Sequence, residues 1–494
     1  MTGPVPGDQA PRDRIARSLD ENLFVEAGAG TGKTTALVGR MVALVVDEGI
    51  AVEEIAAITF TEKAAAELAD GFRRSLEDVA RHDGDPDRRR RAEVALADVD
   101  LASLTTLHGF ARHLLGDHPL EAGLPPGFDL LDEVSSHLGF DDRWADLQHR
   151  LLDDDDLART VLLADAMRIR PHHLRELART LDDRWDLLGD HPPPPEPDPV
   201  DVAGILGHMD EALALDRDDV DEDDKLRIRL TRIRDAQTAL GGAVDETDTV
   251  RVLADDDHRK SLNAGGDGNK KVWGDDKAAI VEAAYAARDL WDALLRATAG
   301  AVLRRLLADL VAATLEAAAE RRHAGTLVFH DLLVIARDLL ADPIVGDAVR
   351  TSLHERYRRV LLDEFQDTDP LQLELALLLT DPDSPVRPSF DPGDFSPDPG
   401  SLFLVGDPKQ SIYRFRRADV ALYLRARRTL DSTLVALTEN FRTTVPIIDW
   451  VNAMFAHLIG TGPPLDTAAS HLVQPGYVPL VGRRPAAANG PSVT

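Results

Sequence analysis

The chain has 494 residues, a net charge of −31, a hydrophobic fraction of 44% and no cysteine. Lack of Cys excludes disulfides, thiolate zinc sites and Cys-ligated iron–sulfur clusters within this span, and fits a cytoplasmic location. The length holds roughly three domains; no apolar run approaches the ~18 residues of a membrane span, and the opening MTGPVPGDQAPRDR has no signal-peptide core.

The acidic balance opposes nucleic-acid binding as a global sum, but binding is local. The acids gather in stretches such as Asp153–Asp156 and Asp218–Asp224, whereas Arg is dense around Tyr413–Arg417. Residues 1–22 read as a loop and a short helix. Gln9 there is either part of an ordinary helix start or a reader of an adenine edge.

Leu23-Phe24-Val25 reads as a buried parallel strand. Ala27-Gly28-Ala29-Gly30-Thr31-Gly32-Lys33-Thr34-Thr35 follows, and then a helix-length apolar stretch. Strand, small-residue loop, Lys-Thr and helix form the P-loop arrangement. The glycines let backbone N–H groups face inward, and the helix N-terminus adds partial positive charge. Lys33 reaches the outer phosphates and Thr34 offers its hydroxyl to Mg²⁺. The strict pattern has Gly where this chain has Ala27, so this stretch alone also fits a Gly-rich turn that binds nothing.

Ile55–Phe60 reads as a second strand running into a helix capped by Thr61. Phe60, at the strand's carboxyl end, is either core or a stacking platform. A polar, Arg-rich helical stretch to about residue 97 precedes a strand and helix start at Leu101–Phe110, which contains Thr106 and His108. Residues 133–320 are acidic and mainly helical, broken by the stiff Pro192–Pro197 stretch and a flexible loop at Asn263–Asn269. They read as a domain inserted into an α/β core. The adjacent His172 and His173 do not share a helix face, so metal is not expected there.

The core resumes near Leu327. Val360-Leu361-Leu362 then leads into Asp363-Glu364, an apolar strand ending in two acids. Paired with the P-loop, this is the second half of an NTPase site: Asp363 holds Mg²⁺ through water, and Glu364 orients and deprotonates the attacking water. Asp381–Gly400 reads as a mobile loop. Leu402–Asp407 is another strand, followed by an aromatic–Arg block through Tyr413 and Phe415 that suits base stacking with backbone neutralisation. Val445-Pro446 opens a helix with Pro near its first turn, and Arg483–Pro491 reads as a loop.

In order along the chain, AGAGTGKT (27–34), ITFTEKAAAEL (58–68), TTLHGF (105–110), LLDEFQDTDPLQ (361–372), FLVGDPKQSIYRFRRAD (403–419) and LTENFRT (437–443) closely resemble the motifs of superfamily-1 helicases of the UvrD/Rep type. The first matches that family's Ala-led P-loop. VEAGAGTGKT, TEKAAAEL and FHDLL (329–333) lean toward the RecB/AddA branch, which acts on double-strand ends in repair and recombination. The resemblance covers residues 9–450 except the helical insertion.

It implies an α/β fold: a RecA-like P-loop NTPase parallel sheet with an inserted, mainly α-helical domain. The parts are a first lobe segment at 1–132, the insertion at 133–320, a second segment at 321–446 and the start of a second lobe at 447–494. It implies ATP and Mg²⁺, 3′→5′ movement on single-stranded DNA, no membrane, and a possible helicase–nuclease partner subunit. Gln9 matches the adenine-reading glutamine, Gln410 the γ-phosphate sensor and Arg442 an arginine finger. Phe60, Thr106, His108, Tyr413 and Phe415 fall in DNA-facing motifs, with Phe415 replacing the Trp of simpler members.

The family's second lobe supplies further motifs, and none is found in the roughly fifty residues after Arg442. The chain therefore reads as the N-terminal part of a longer helicase. The alternative is an ATP- and DNA-binding lobe with little hydrolysis of its own. A P-loop kinase or switch GTPase would leave the aromatic–Arg block and the DEFQDT continuation unexplained.

Overall fold

The computed structural model describes residues 6–189, 191–384, 389–460 and 476–486. It divides into two compact units, one formed by the chain up to Leu130 and from Leu327 onward, the other by Leu131–Thr326.

The strands, in chain order, are β1 (Leu23–Ala27), β2 (Ile55–Thr59), β3 (Ser103–Thr106), β4 (Asp129–Leu130), β5 (Thr326–Leu327), β6 (Arg359–Leu362), β7 (Leu402–Gly406), β8 (Thr433–Leu437), β9 (Glu439–Thr444) and β10 (Val481–Arg484). In the first unit, six of them form one sheet in the order β3-β2-β6-β7-β1-β8. Every pairing in it is parallel. β2 and β7 are buried along their whole length, which is why they read as continuous apolar runs: a parallel strand covered on both faces has no polar face to show. One core against the sheet joins Leu23, Val25, Leu37, Met41, Phe72 and Phe403. Each such side chain contributes roughly 1.5–3 kcal/mol by leaving water.

The helices that flank this sheet begin with α1 (Gln9–Arg17), α2 (Lys33–Val46), α3 (Glu62–His82), α4 (Pro86–Ala97) and α5 (Leu107–Asp117). Thr61 caps α3, its side chain accepting from Ala64 N. Arg40 of α2 is buried and donates to the carbonyls of Ile15, Ser18 and Glu21. Burial lowers its pKa to about 10, so it stays charged at neutral pH and staples the end of α1 to the helix behind the P-loop.

All six carboxyl ends open on the same edge of the sheet, and that edge is where open α/β sheets bind ligands.

The second unit is helical. Its largest core contains Trp273, Trp291, Leu230 and Ile233. Its longest helix, Asp276–Ala324, has 49 residues, about 70 Å at 1.5 Å per residue. It has no Pro to break it and stops at Gly325, whose φ of +69° is the left-handed conformation that ends helices. Pro192–Pro197 is outside regular secondary structure. No helix among the described residues is long and apolar enough to cross a membrane.

Two sequence expectations change. Arg483 and Arg484, expected in a loop, lie in β10, which pairs in parallel with β9; residues 487–491 of that stretch lie outside the described residues. The reason is a tertiary contact: Arg483 is paired with the buried Glu439 of β9. The Asp381–Gly400 stretch, expected to be mobile, is anchored at its end. Asn22 donates to Pro397 O and accepts from Leu402 N, both inside the fold. Residues 385–388 of it lie outside the described residues.

Candidate functional site

β1, β7 and β6 are sheet neighbours, so their carboxyl-end loops are adjacent. β1 enters the loop Ala27–Gly32. Gly30 and Gly32 have φ of +72° and +87°, values that a residue with a Cβ rarely adopts. Thr31 is fully buried and donates to Gly28 O at 2.8 Å, tightening the loop, while Ala29 is exposed. Gly32 is the N-cap of α2, so Lys33, Thr34 and Thr35 are its first three residues; Thr34 and Thr35 are exposed. Orphan N–H groups and the helix dipole meet at this point, a ready anion site.

β6 ends at Leu362, and Asp363 and Glu364 follow. Glu364 adopts a left-handed backbone, φ +51°, which turns its carboxylate toward the loop after β1. Lys33 Nζ lies 2.6 Å from Glu364 Oε2. Asp363 accepts from Glu364 N at 2.8 Å. Burial, reinforced by the neighbouring Glu364 charge, pushes the Asp363 carboxyl up to about 6. Two acids thus share one lysine, an arrangement that favours a further cation. Mg²⁺ fits it, because this ion keeps several waters and takes only one or two protein carboxylates beside substrate phosphates. Asp363 and the exposed Thr34 hydroxyl are the groups that can hold it.

The loop after β7 carries Asp407, which is buried, and Gln410, whose Nε2 donates to Asp407 Oδ2 at 2.8 Å. Gln366, just after the acidic pair, donates to Glu364 Oε2 at 2.8 Å and accepts from Asp407 N at 2.8 Å. Strand β9 runs across the P-loop: Phe441 N donates to Gly30 O at 2.9 Å. The exposed Arg442 follows at once, with its Cβ beside Gly30. Gln9 is the first residue of α1, its amide donating to Asp13 at 2.8 Å. The same helix reaches the P-loop through Arg12, which donates to Thr31 O at 2.9 Å.

The edge continues past β6 to β2 and β3. Phe60, just beyond β2, stands 5.0 Å from Tyr413, ring centre to ring centre, and Tyr413 stands 5.7 Å from Phe415. Phe415 is 75% exposed. These three make a row. Thr106 does not join it. It is buried, donates to Glu62 and accepts from Gly109 N as the cap of α5. His108 packs edge-on against Phe329 at 5.6 Å, and Phe329 is itself 56% exposed.

Burial, with His330 nearby, lowers the His108 pKa to about 4. An unfolded chain takes up that proton near 6.5, so this group's contribution favours unfolding as pH falls from about 6.5 to about 4 and is neutral above that window. An NMR titration of the ring carbons is expected to show His108 neutral at pH 5.5. A midpoint near 6.5 would contradict its burial.

Gln366, Asp407, Asn440, whose Nδ2 donates to Ala29 O in the P-loop, and Phe329 escaped the sequence reading of individual site residues. The first three act through hydrogen bonds that no spacing reveals. Phe329 sits inside the quoted FHDLL stretch, where an exposed aromatic at a helix start was the available signal.

Residues 9–431 match the model of the UvrD/REP helicase N-terminal domain. The chain belongs to that family. Among curated proteins it is similar to an ATP-dependent helicase/nuclease subunit of Pediococcus pentosaceus, with 24% identity over 90% of this chain and 38% of that protein. The proteins of the same name from Exiguobacterium sibiricum and Listeria monocytogenes are 27% and 25% identical, again over 90% of this chain. The chain spans about two-fifths of the length of these relatives. Membership agrees with the UvrD/Rep resemblance and with its RecB/AddA leaning, and it accords with the parallel sheet and the P-loop at its carboxyl edge.

Proposed function

We propose that this chain is the ATP- and DNA-binding part of a 3′→5′ DNA helicase of a helicase–nuclease, working with a partner subunit on single-stranded DNA or DNA ends in repair and recombination. The observation that carries the ATP half is the Lys33–Glu364 contact, which joins P-loop and acidic strand end at 2.6 Å. The exposed Phe60–Tyr413–Phe415 row on the same edge supports the DNA half. Direction of travel, end preference and partner follow from family membership and the relatives' printed names. The sheet unit corresponds to the first RecA-like lobe and Leu131–Thr326 to its insertion.

The loop N–H groups and Lys33 bind the phosphates of ATP, and Gln9 contacts the adenine. Thr34 and Asp363 would hold Mg²⁺, which would supply charge neutralisation to the bound phosphates. Lys33 is paired with Glu364, so a γ-phosphate that draws Lys33 away also frees the Glu364 carboxylate. That carboxylate then accepts a proton from water as its oxygen bonds to the γ-phosphorus and the bond to the ADP oxygen breaks. Gln410 and Arg442 contact the γ-phosphate, Arg442 as a charge-stabilising finger.

Phe415→Ala tests the DNA half. Loss of one stacking platform is worth ~1–3 kcal/mol, so oligo(dT) affinity measured by fluorescence anisotropy is expected to fall about 5- to 150-fold, with nucleotide affinity retained. Unchanged DNA affinity would remove the aromatic row from the interface. The His108–Phe329 pair and Thr106 belong to the neighbouring part of that surface, Thr106 by capping α5.

A further inference from the structure

Gln366 is 2% exposed and lies between the two halves of the nucleotide site. Its Nε2 donates to Glu364 Oε2 at 2.8 Å and to Asp367 at 3.1 Å, and its Oε1 accepts from Asp407 N at 2.8 Å. The oxygen of Glu364 that it holds is the one Lys33 contacts. Asp407 in turn takes Lys409 Nζ on one oxygen and Gln410 Nε2 on the other, each at 2.8 Å. Gln410 is three residues before Tyr413, the middle ring of the aromatic row. There is no slack at the joint: a Cβ on Gly406, the last residue of β7, would lie 2.6 Å from Gln366 Oε1.

We infer that Gln366 is a positioning residue that couples nucleotide state to DNA grip, by tying the Glu364 carboxylate to the Asp407–Gln410 turn that leads into the aromatic segment. The inference rests on the proposed ATP and DNA sites and adds the connection between them. Only an amide serves here. One end must donate to carboxylates and the other must accept a backbone N–H. When Lys33 moves to phosphate, Gln366 remains as a donor to the same Glu364 oxygen, so displacement of that carboxylate pulls on Asp407. Both ends of the Gln366 amide are hydrogen-bonded, which holds it rigidly between the two loops.

The test is a linkage measurement on the whole chain. Affinity for fluorescein-labelled oligo(dT) is measured with and without AMP-PNP and Mg²⁺, and AMP-PNP affinity is measured separately. In the parent, AMP-PNP is expected to change DNA affinity about tenfold, a typical coupling between sites. Gln366→Glu keeps the acceptor for Asp407 N–H but sets a charge against Glu364 and Asp367. It is expected to bring the ratio within about twofold of one, whatever its effect on either affinity alone.

Gln366→Met, neutral and of similar length, is expected to behave alike. A merely structural role lowers thermal stability and both affinities but leaves the ratio intact, which would overturn the inference. So would failure of both variants to fold. A parent that binds both ligands with a ratio of one also overturns it while the two sites stand; a parent that binds neither ligand sinks the sites as well.

Discussion

Glu364→Gln is expected to tighten ATP binding while nearly abolishing its hydrolysis. The two effects have separate origins in one contact. The substitution removes the carboxylate that holds Lys33 at 2.6 Å. Lys33 then meets the phosphates without first leaving a partner, a gain of about 1 kcal/mol for a partly exposed pair. The side chain that remains cannot accept the water's proton, and loss of a general base costs roughly 10²–10⁴ in rate. Equilibrium binding of a fluorescent ATP analogue and single-turnover hydrolysis separate the two. Opposite signs exclude simple misfolding, which would weaken both. Retained hydrolysis would show that Glu364 is only the lysine's counter-charge.

Lys33→Ala is expected to weaken nucleotide binding by about 10- to 150-fold, from ~1.5–3 kcal/mol for a charge-assisted hydrogen bond, and to remove turnover. It also leaves Glu364 and Asp363 adjacent without the cation between the loops. Asp363 already sits near 6 through burial and the Glu364 charge, held down by the Glu364 N–H hydrogen bond and then by the Lys33 charge. Removing Lys33 therefore raises that carboxyl further and makes Mg²⁺ the principal counter-charge. Melting temperature of this variant, measured against the parent, is expected to respond more strongly to millimolar Mg²⁺. Equal response in both would mean that Asp363 is not the ion's ligand.

Much of this architecture is legible in residue order because of the sheet's parallel arrangement. Leu23–Val25, Ile55–Phe60 and Leu402–Asp407 read as strands because burial on both faces leaves mainly apolar runs, and β1, β2 and β7 lie there. Once the strands are parallel, the P-loop, Asp363-Glu364 and Gln410 must share an edge although over 300 residues separate Lys33 from Asp363. What stayed hidden depends on tertiary partners. Val481–Arg484 has no apolar alternation and becomes a strand through β9 and Glu439. The Thr106 hydroxyl, in a motif expected to face DNA, is held by Glu62 and the start of α5. Gln366 carries no signal beyond its place in DEFQDT, since the ends of its amide meet Asp407, distant in sequence, and Glu364, turned by an unusual backbone angle. The 49-residue helix is broken by no proline, yet buried positions recur along its length without one constant face, so periodicity alone does not delimit it.

Central to this reading is one carboxyl edge that binds both ATP and single-stranded DNA and lets each sense the other. The most direct measurement is the ATP hydrolysis rate of this chain with and without oligo(dT), beside Lys33→Ala. The expected result is Mg²⁺-dependent turnover that oligo(dT) stimulates and that disappears in the variant. Turnover that survives Lys33→Ala, or an edge that binds neither ATP nor oligo(dT), would contradict it.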